Sequence, residues 1–193
     1  MTDLTWPSTI IPAASEWRLI ANTASFGLRT RVRAGDRWGC TLSIPTLPRS
    51  SAMQLRAFLA RLLGHTHRCV LPNHAFLRRG AIAANAKVYG ASQTGPTLVV
   101  DSVEAGLSNA LRTGDFIAVD GRLYMVAADC SSNASGQLTI TLTNPIDTAP
   151  DDNATVETQN PTGRFILMNE ARWHLIPGGL AQFDPIDLLE DIP

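Results

Sequence analysis

The chain of 193 residues is long enough to bury a substantial core, either as one domain or as a domain carrying a smaller one. With 45% apolar and 17% charged residues it is a globular protein with few charges for its surface. Its net charge of -1 excludes a chain that coats nucleic acid or an anionic membrane as a whole. The charges are unevenly spread: residues 1–80 hold eleven Arg against three acids, and residues 81–193 hold fourteen acids against five Lys and Arg. Such halves offer complementary surfaces where copies meet, or each is simply solvated. Arg outnumbers Lys fifteen to one, and Arg suits bidentate ion pairs at interfaces.

Cys40, Cys69 and Cys130 are odd in number and far apart, and Met1 leads into Thr2, Asp3 and Leu4 with Pro7 and Pro12 close behind. That pattern predicts manufacture in a reducing cytoplasm with free, partly buried thiols. No apolar run approaches the roughly 18 residues needed to span a bilayer, so no membrane anchoring is expected.

In chain order, residues 1–14 read as an extended arm whose Trp6, Ile10 and Ile11 need a groove. Ser15 to Asn22 is a predicted strand with Trp17 and Leu19 on one face. A turn at Asn22 to Ser25 leads into a predicted strand over Phe26 to Arg33. On that strand Arg29, Arg31 and Arg33 point one way. The row suits phosphate, carboxylate or a neighbouring acidic subunit, or is a solvated face.

From Arg37 the sequence alternates strictly, with Trp38, Cys40, Leu42 and Ile44 on one side and Arg37, Gly39, Thr41 and Ser43 on the other, the period of a half-buried strand. Pro45 and Pro48 end it. Ser51 and Gln54 form a capping-box pattern that opens a helix, and Gly64 closes it. Within the helix Leu55, Phe58, Leu59 and Leu62 fall at i, i+3, i+4 and i+7, and Arg56 and Arg61 take the opposite face.

His65 to Leu71 reads as another strand, with His65, His67 and Cys69 on one face and His74 close behind. The ligand types suit zinc, but the spacing matches no finger or knuckle. A thiolate nucleophile at Cys69 lacks an acidic orienting partner and an oxyanion loop in the sequence.

After Arg78-Arg79-Gly80 the composition shifts to Ala, Thr, Asn, Asp and Gly. Short strands are predicted at 86–89, 97–101, 116–119, 122–127, 137–142 and 155–157, with one helical turn at Leu107 to Leu111. Asp120-Gly121 marks a two-residue hairpin that needs positive φ at both positions. Many short strands hide their edges by closing, so a small β-barrel is expected. Asp115, Asp120, Asp129, Asp151 and Asp152 do not form a calcium loop and fit turn chemistry. From Thr162 the large apolar residues return in RFILM, in the segment with Trp173, and in Leu180 to Asp184 before the tail PIDLLEDIP. The expected organisation is mainly β with one packed helix: residues 1–78 with 163–193 as an outer domain, and 79–162 as an inserted small β-barrel.

Taken together, EWRLIANTASF, GDRWGCTLSIPTL, a helix ending LARLLGHTHRCVLP, then GDFIAVDGRLYMVAAD and NPTGRFILMNEARWHLIPGGL resemble a minor tail protein of long-tailed bacteriophages. The nearest group is the distal tail or baseplate hub-ring family with its lambda-like tail-tip equivalents, over about Ser15 to Phe183. The resemblance implies a β-sandwich related to tail-tube subunits. It implies a homo-oligomeric ring, hexameric by preference or trimeric, that joins the tail-tube protein to a tip hub or central fibre protein. It also implies a place in the virion tail after synthesis in the host bacterial cytoplasm, passage of DNA through the lumen without specific binding, no cofactor and no catalysis. The best-known distal tail proteins append a galectin-like domain at the C-terminus, whereas here the extra residues are internal.

For the oligomer interface the candidates are Trp6, Ile10, Arg29, Arg31 and Arg33, with the arm lying on a neighbour and the arginine row facing another protein. The alternative function is a carbohydrate-binding module contacting host surface sugar through Tyr89, Phe116 and Tyr124 of the barrel. No Gly-x-Ser-x-Gly elbow, metal motif or carboxylate pair points to a hydrolase.

Overall fold

The structure is a computed structural model that describes residues 2–20, 23–26, 29–32, 35–63, 66–74 and 76–192, with the backbone alone described in 23–26 and 29–32. In chain order the strands are β1 (Asp3–Thr5), β2 (Ala14–Ile20), β3 (Thr23–Phe26), β4 (Arg29–Val32), β5 (Arg37–Ser43) and β6 (Leu47–Pro48), followed by the helix α1 (Arg49–Leu62). After it come β7 (Arg68–Pro72), β8 (Ala86–Val88), β9 (Gly95–Asp101), β10 (Phe116–Val119), β11 (Arg122–Met125), β12 (Leu138–Ile146) and β13 (Thr155–Glu157). The last four are β14 (Thr162–Leu167), β15 (Trp173–Ile176), β16 (Leu180–Phe183) and β17 (Ile186–Glu190). The protein is mainly β with one helix, as its patterning predicts.

Two compact units divide the chain: residues 1–20, 37–75 and 164–193 form the first, and residues 21–36 and 76–163 the second. Residues 21–36, which the sequence reading assigns to the outer domain, group with the second unit. There the predicted turn at Asn22 to Ser25 gives way to an antiparallel hairpin of β3 and β4, with Phe26 opposite Arg29 and Ala24 opposite Arg31.

The first unit holds a six-stranded sheet in the order β1-β7-β14-β17-β5-β2 and a three-stranded sheet in the order β15-β16-β6. Strand β5, second from the β2 edge, buries Trp38, Cys40, Leu42 and, just beyond its end, Ile44, the side that the alternation selects. The sheet curls strongly: the Trp17 ring on edge strand β2 meets Phe165 of β14, three strands away, edge to face at 5.6 Å. On α1, Ala52, Leu55, Phe58, Leu59 and Leu62 are buried, so the apolar stripe is where the 3.6-residue period puts it.

The N-terminal end of the helix differs from the expected one, and Gly64, expected to close it, lies outside the described residues. Pro48 occupies the N-cap with no side-chain bond, which sets aside the Ser51/Gln54 capping box. Leu63, at φ 48° and ψ 48°, takes the left-handed C-cap position. Proline has its dihedral preset for helix entry and Arg49 N is taken by the carbonyl of Gly179 at 3.2 Å, so the first turn needs no hydroxyl cap.

The second unit is a nearly closed barrel, β11-β10-β13-β8-β9-β12. Leu98, Val100, Ile117, Leu138, Ile140 and Val156 fill its core. Asp120 and Gly121 take φ of 52° and 78°, as the two-residue hairpin requires. The predicted helical turn at Leu107 to Leu111 is absent; Leu111 bridges Cys130 instead. Asp115, fully buried, accepts from the backbone N–H of Arg79 (3.0 Å), Gly80 (2.9 Å) and Arg112 (2.9 Å), tying the incoming chain to the barrel. Gly80 is obligatory there, because a Cβ would lie 2.3 Å from the carbonyl oxygen of Ala110. The segment at Gly35 and Asp36 is held by Asp147, which accepts from Gly35 N at 2.8 Å and pairs with buried Arg122 at 3.2 Å. Arg122 in turn donates to the Asp36 carbonyl at 3.0 Å.

Closure between β11 and β12 depends on a side chain. Beyond β11, Val126 bridges Leu142 and Ala127 N donates to Thr141 O at 2.8 Å. Within the span where the β12 register against β9 shifts, fully buried Asn144 turns its amide toward β11. Its Nδ2 donates to Leu123 O at 3.0 Å and its Oδ1 accepts from Met125 N at 3.3 Å, standing in for two ladder bonds. Asn144→Leu is expected to cost about 1–3 kcal/mol by losing both, read as a lower denaturation midpoint. An unchanged midpoint would show that the seam closes without the amide.

Candidate functional site

The arm is built into the first unit. β1 runs parallel to β7, with Leu4 opposite Cys69, and Trp6 N continues the ladder to Val70 O at 3.0 Å. Trp6 is 4% exposed and Ile10 1%. The Trp6 ring packs edge to face on Phe58 of α1 at 5.6 Å, and its Nε1 donates to Ile10 O at 2.8 Å. The groove that the arm needs is therefore in its own chain, which corrects Trp6 and Ile10 as surfaces for a neighbour. Of the basic row, Arg33 lies outside the described residues, and Arg29 and Arg31 are described by backbone alone. Trp6→Ala is expected to destabilise the first unit by about 3–5 kcal/mol, measured by chemical denaturation; a residue that served only a neighbouring copy would leave unfolding of the isolated chain unchanged.

The charge contrast between the halves dissolves in the fold. The first unit carries eight Arg against seven acids, and the second seven Arg and one Lys against ten acids. The C-terminal acids bond within the first unit: Asp191 with Arg68, Asp187 with Thr41 Oγ1 at 2.7 Å, and buried Glu190 with Trp38 N at 3.1 Å. Asp3 pairs with Arg164 at 2.9 Å.

Among the described residues, the metal and thiolate candidates of the sequence form no centre. His65 lies outside the described residues; His67 Nδ1 accepts from Thr2 N at 3.3 Å, and Cys69 points into the core. Among the described residues no group of three His, Cys, Asp or Glu is placed to hold a metal ion. Burial pushes the Cys69 thiol up to about 12, with Cys40 adding to the effect, and raises Cys40 itself to about 12. Half-buried Cys130, raised by burial to about 11, donates weakly to Leu111 O at 3.8 Å. At neutral pH all three remain thiols. A maleimide or disulfide reagent is expected to label native Cys130 first, and Cys40 and Cys69 only after unfolding; rapid labelling of native Cys69 would contradict its burial.

Of the sugar candidates, Phe116 is 9% exposed with its ring 6.1 Å from Phe76, and Tyr124 is 3% exposed beneath Arg122. Both are core residues, which removes them as stacking platforms; alternating strands of a small barrel turn every second side chain inward. Tyr89 is 51% exposed.

The accessible apolar feature of the first unit lies beside α1. Across the three-stranded sheet, Trp173 is opposite Phe183, Leu175 opposite Ala181, and Ala181 opposite Leu47, so these side chains share one face. Ala181, Phe183 and Leu47 are buried, but β15 is an edge strand and leaves Leu175 exposed and Trp173 half-buried. Between Trp173 and the helix runs a groove of about 270 Å³ with Leu59, Leu167 and Phe183 along it and Arg56 and Ala60 on the helix side. Trp173 stacks on Phe183 at 6.3 Å and 27°, and the Arg56 guanidinium sits 4.9 Å over the Trp173 ring. A second groove of about 440 Å³, bounded by Thr2, Leu4, Arg61, Leu63 and His67, follows the other flank of the helix.

The solvent side of α1 is uniformly basic: it bears Arg49, Arg56 and Arg61 and no Asp or Glu, and among the described residues none of the three pairs with a carboxylate. An aromatic wall, an aliphatic floor and an unneutralised guanidinium recognise an apolar or aromatic anchor accompanied by negative charge. The sequence marks Arg56 as outward-facing and Trp173 as a strand residue, but their meeting depends on a pairing between distant segments that local periodicity does not encode. No protein-family model matches the chain, and no curated protein matches its sequence.

Proposed function

We propose that this chain is a structural subunit of a phage tail tip or baseplate. It assembles into a ring that joins the tail tube to the tip or receptor-binding hub and through which DNA passes. The observation that supports a contact role is the face beside α1: the first unit has a core of its own, yet it keeps an aromatic-walled groove and three outward-facing arginines that, among the described residues, have no carboxylate partner. A monomer gains nothing from leaving that combination open, whereas a subunit uses it on a neighbour. The sequence resemblance supplies the tail context, and the mainly β build with one packed helix agrees with it.

Native mass spectrometry of the purified chain, alone and mixed with the tail-tube protein of the same phage, tests this reading. A discrete closed species, six copies by preference or three, is the expected result. A chain that stays monomeric and bound to nothing in both samples overturns it.

A further inference from the structure

We infer that the groove beside α1 receives the Tyr89 end of the barrel of a second copy of this chain, an inference that rests on the reading of the protein as a self-assembling subunit. Tyr89 follows β8 at one end of the barrel, and its backbone is fixed on both sides. Its N–H donates to Val99 O at 3.0 Å, Gln93 Nε2 donates to its carbonyl at 2.9 Å, and the next residue, Gly90, donates to Asp152 Oδ1 at 2.8 Å. The ring nevertheless projects, 51% exposed. Beside it lies the acidic turn 151–153, tied to β8 by Asn153 N donating to Val88 O at 3.0 Å, with Asp151 and Asp152 exposed. The barrel thus presents an exposed aromatic side chain on a fixed backbone, with the Asp151 carboxylate in the adjoining turn and that of Asp152, which also accepts from Gly90 N and Asn153 Nδ2, beside it.

The groove has the matching chemistry. At about 270 Å³ it is smaller than the roughly 300–1,000 Å³ of small-molecule sites and suits one anchoring side chain. Trp173 and Phe183 offer ring faces to a tyrosine, and Arg56 and Arg49 on the helix offer charge to Asp151 and Asp152. The sequence-wide charge contrast, lost between the two units, survives locally as this pair of patches. Donor and acceptor patches are different surfaces, so every copy offers one of each. The contact is then head-to-tail and propagates until the rotation closes a ring.

Sedimentation velocity and native mass spectrometry of the full-length chain and of three variants decide the matter. Tyr89→Ala, Arg56→Glu and Asp151→Arg change exposed side chains, and an unchanged thermal midpoint verifies their folds. Each is expected to weaken self-association at least about tenfold, and Arg56→Glu combined with Asp151→Arg in one chain is expected to recover it. Should the unaltered chain assemble and all three variants assemble equally well, the docking is wrong while the ring reading stands. Should only Arg56→Glu weaken assembly, the groove is an interface but its occupant is not the Tyr89 end, and the inference fails. An unaltered chain that never associates removes the ring reading and this inference together.

Discussion

The first unit depends on one strand, β17, being seated between β14 and β5. Ile186 and Leu188 turn into the core while the strand's polar residues each find a partner across it: Asp187 at Thr41, Glu190 at Trp38 N. Antiparallel ladders run along both sides, to Phe165 through Leu167 and to Gly39 through Leu42. Without this strand β5 loses its inner neighbour and the curl that brings Trp17 onto Phe165 has no support. The acids of the tail PIDLLEDIP, which in isolation look like a solvated end, are structural groups because the strand that bears them is central.

What the sequence discloses about this fold is whatever local period controls. The stripe on α1, the buried side of β5, the Asp120-Gly121 turn and the run of short strands in the barrel follow from spacing of 3.6 or 2 and from backbone preference. What it conceals is set by partners far along the chain. Nothing near Asn144 says that its amide replaces ladder bonds, since the need arises from the gap between β11 and β12. Nothing near Trp6 says that Phe58 will receive it. The helix cap illustrates competition between two local signals, in which Pro48, already fixed in φ, prevails over a hydroxyl three positions later. The face beside α1 follows the same rule: Arg56 and Arg61 read as outward from the helical period, whereas the aromatic wall does not.

The surface that remains open is narrow in kind. Cys40 and Cys69 are buried and protonated, Phe116 and Tyr124 of the barrel are core, and Asp187, Glu190 and Asp191 bond within the first unit. Among the described residues, exposed ring surface and charge without an ion-pair partner occur together beside α1 and at the Tyr89 end of the barrel.

The position of β17 also orders events during synthesis. Trp38 and Glu190, joined in the native sheet, stand 152 residues apart, and so the sheet is completed only after residues 186–190 have been made. Residues 76–163 of the barrel emerge earlier and have their six strands in hand by then. Vectorial folding therefore favours a finished barrel while β5 still waits for its inner neighbour, and β17 acts as the latch. Until residues 186–190 are in place, β5 keeps a bare inner edge, so completion of the first sheet is also what hides its most exposed ladder.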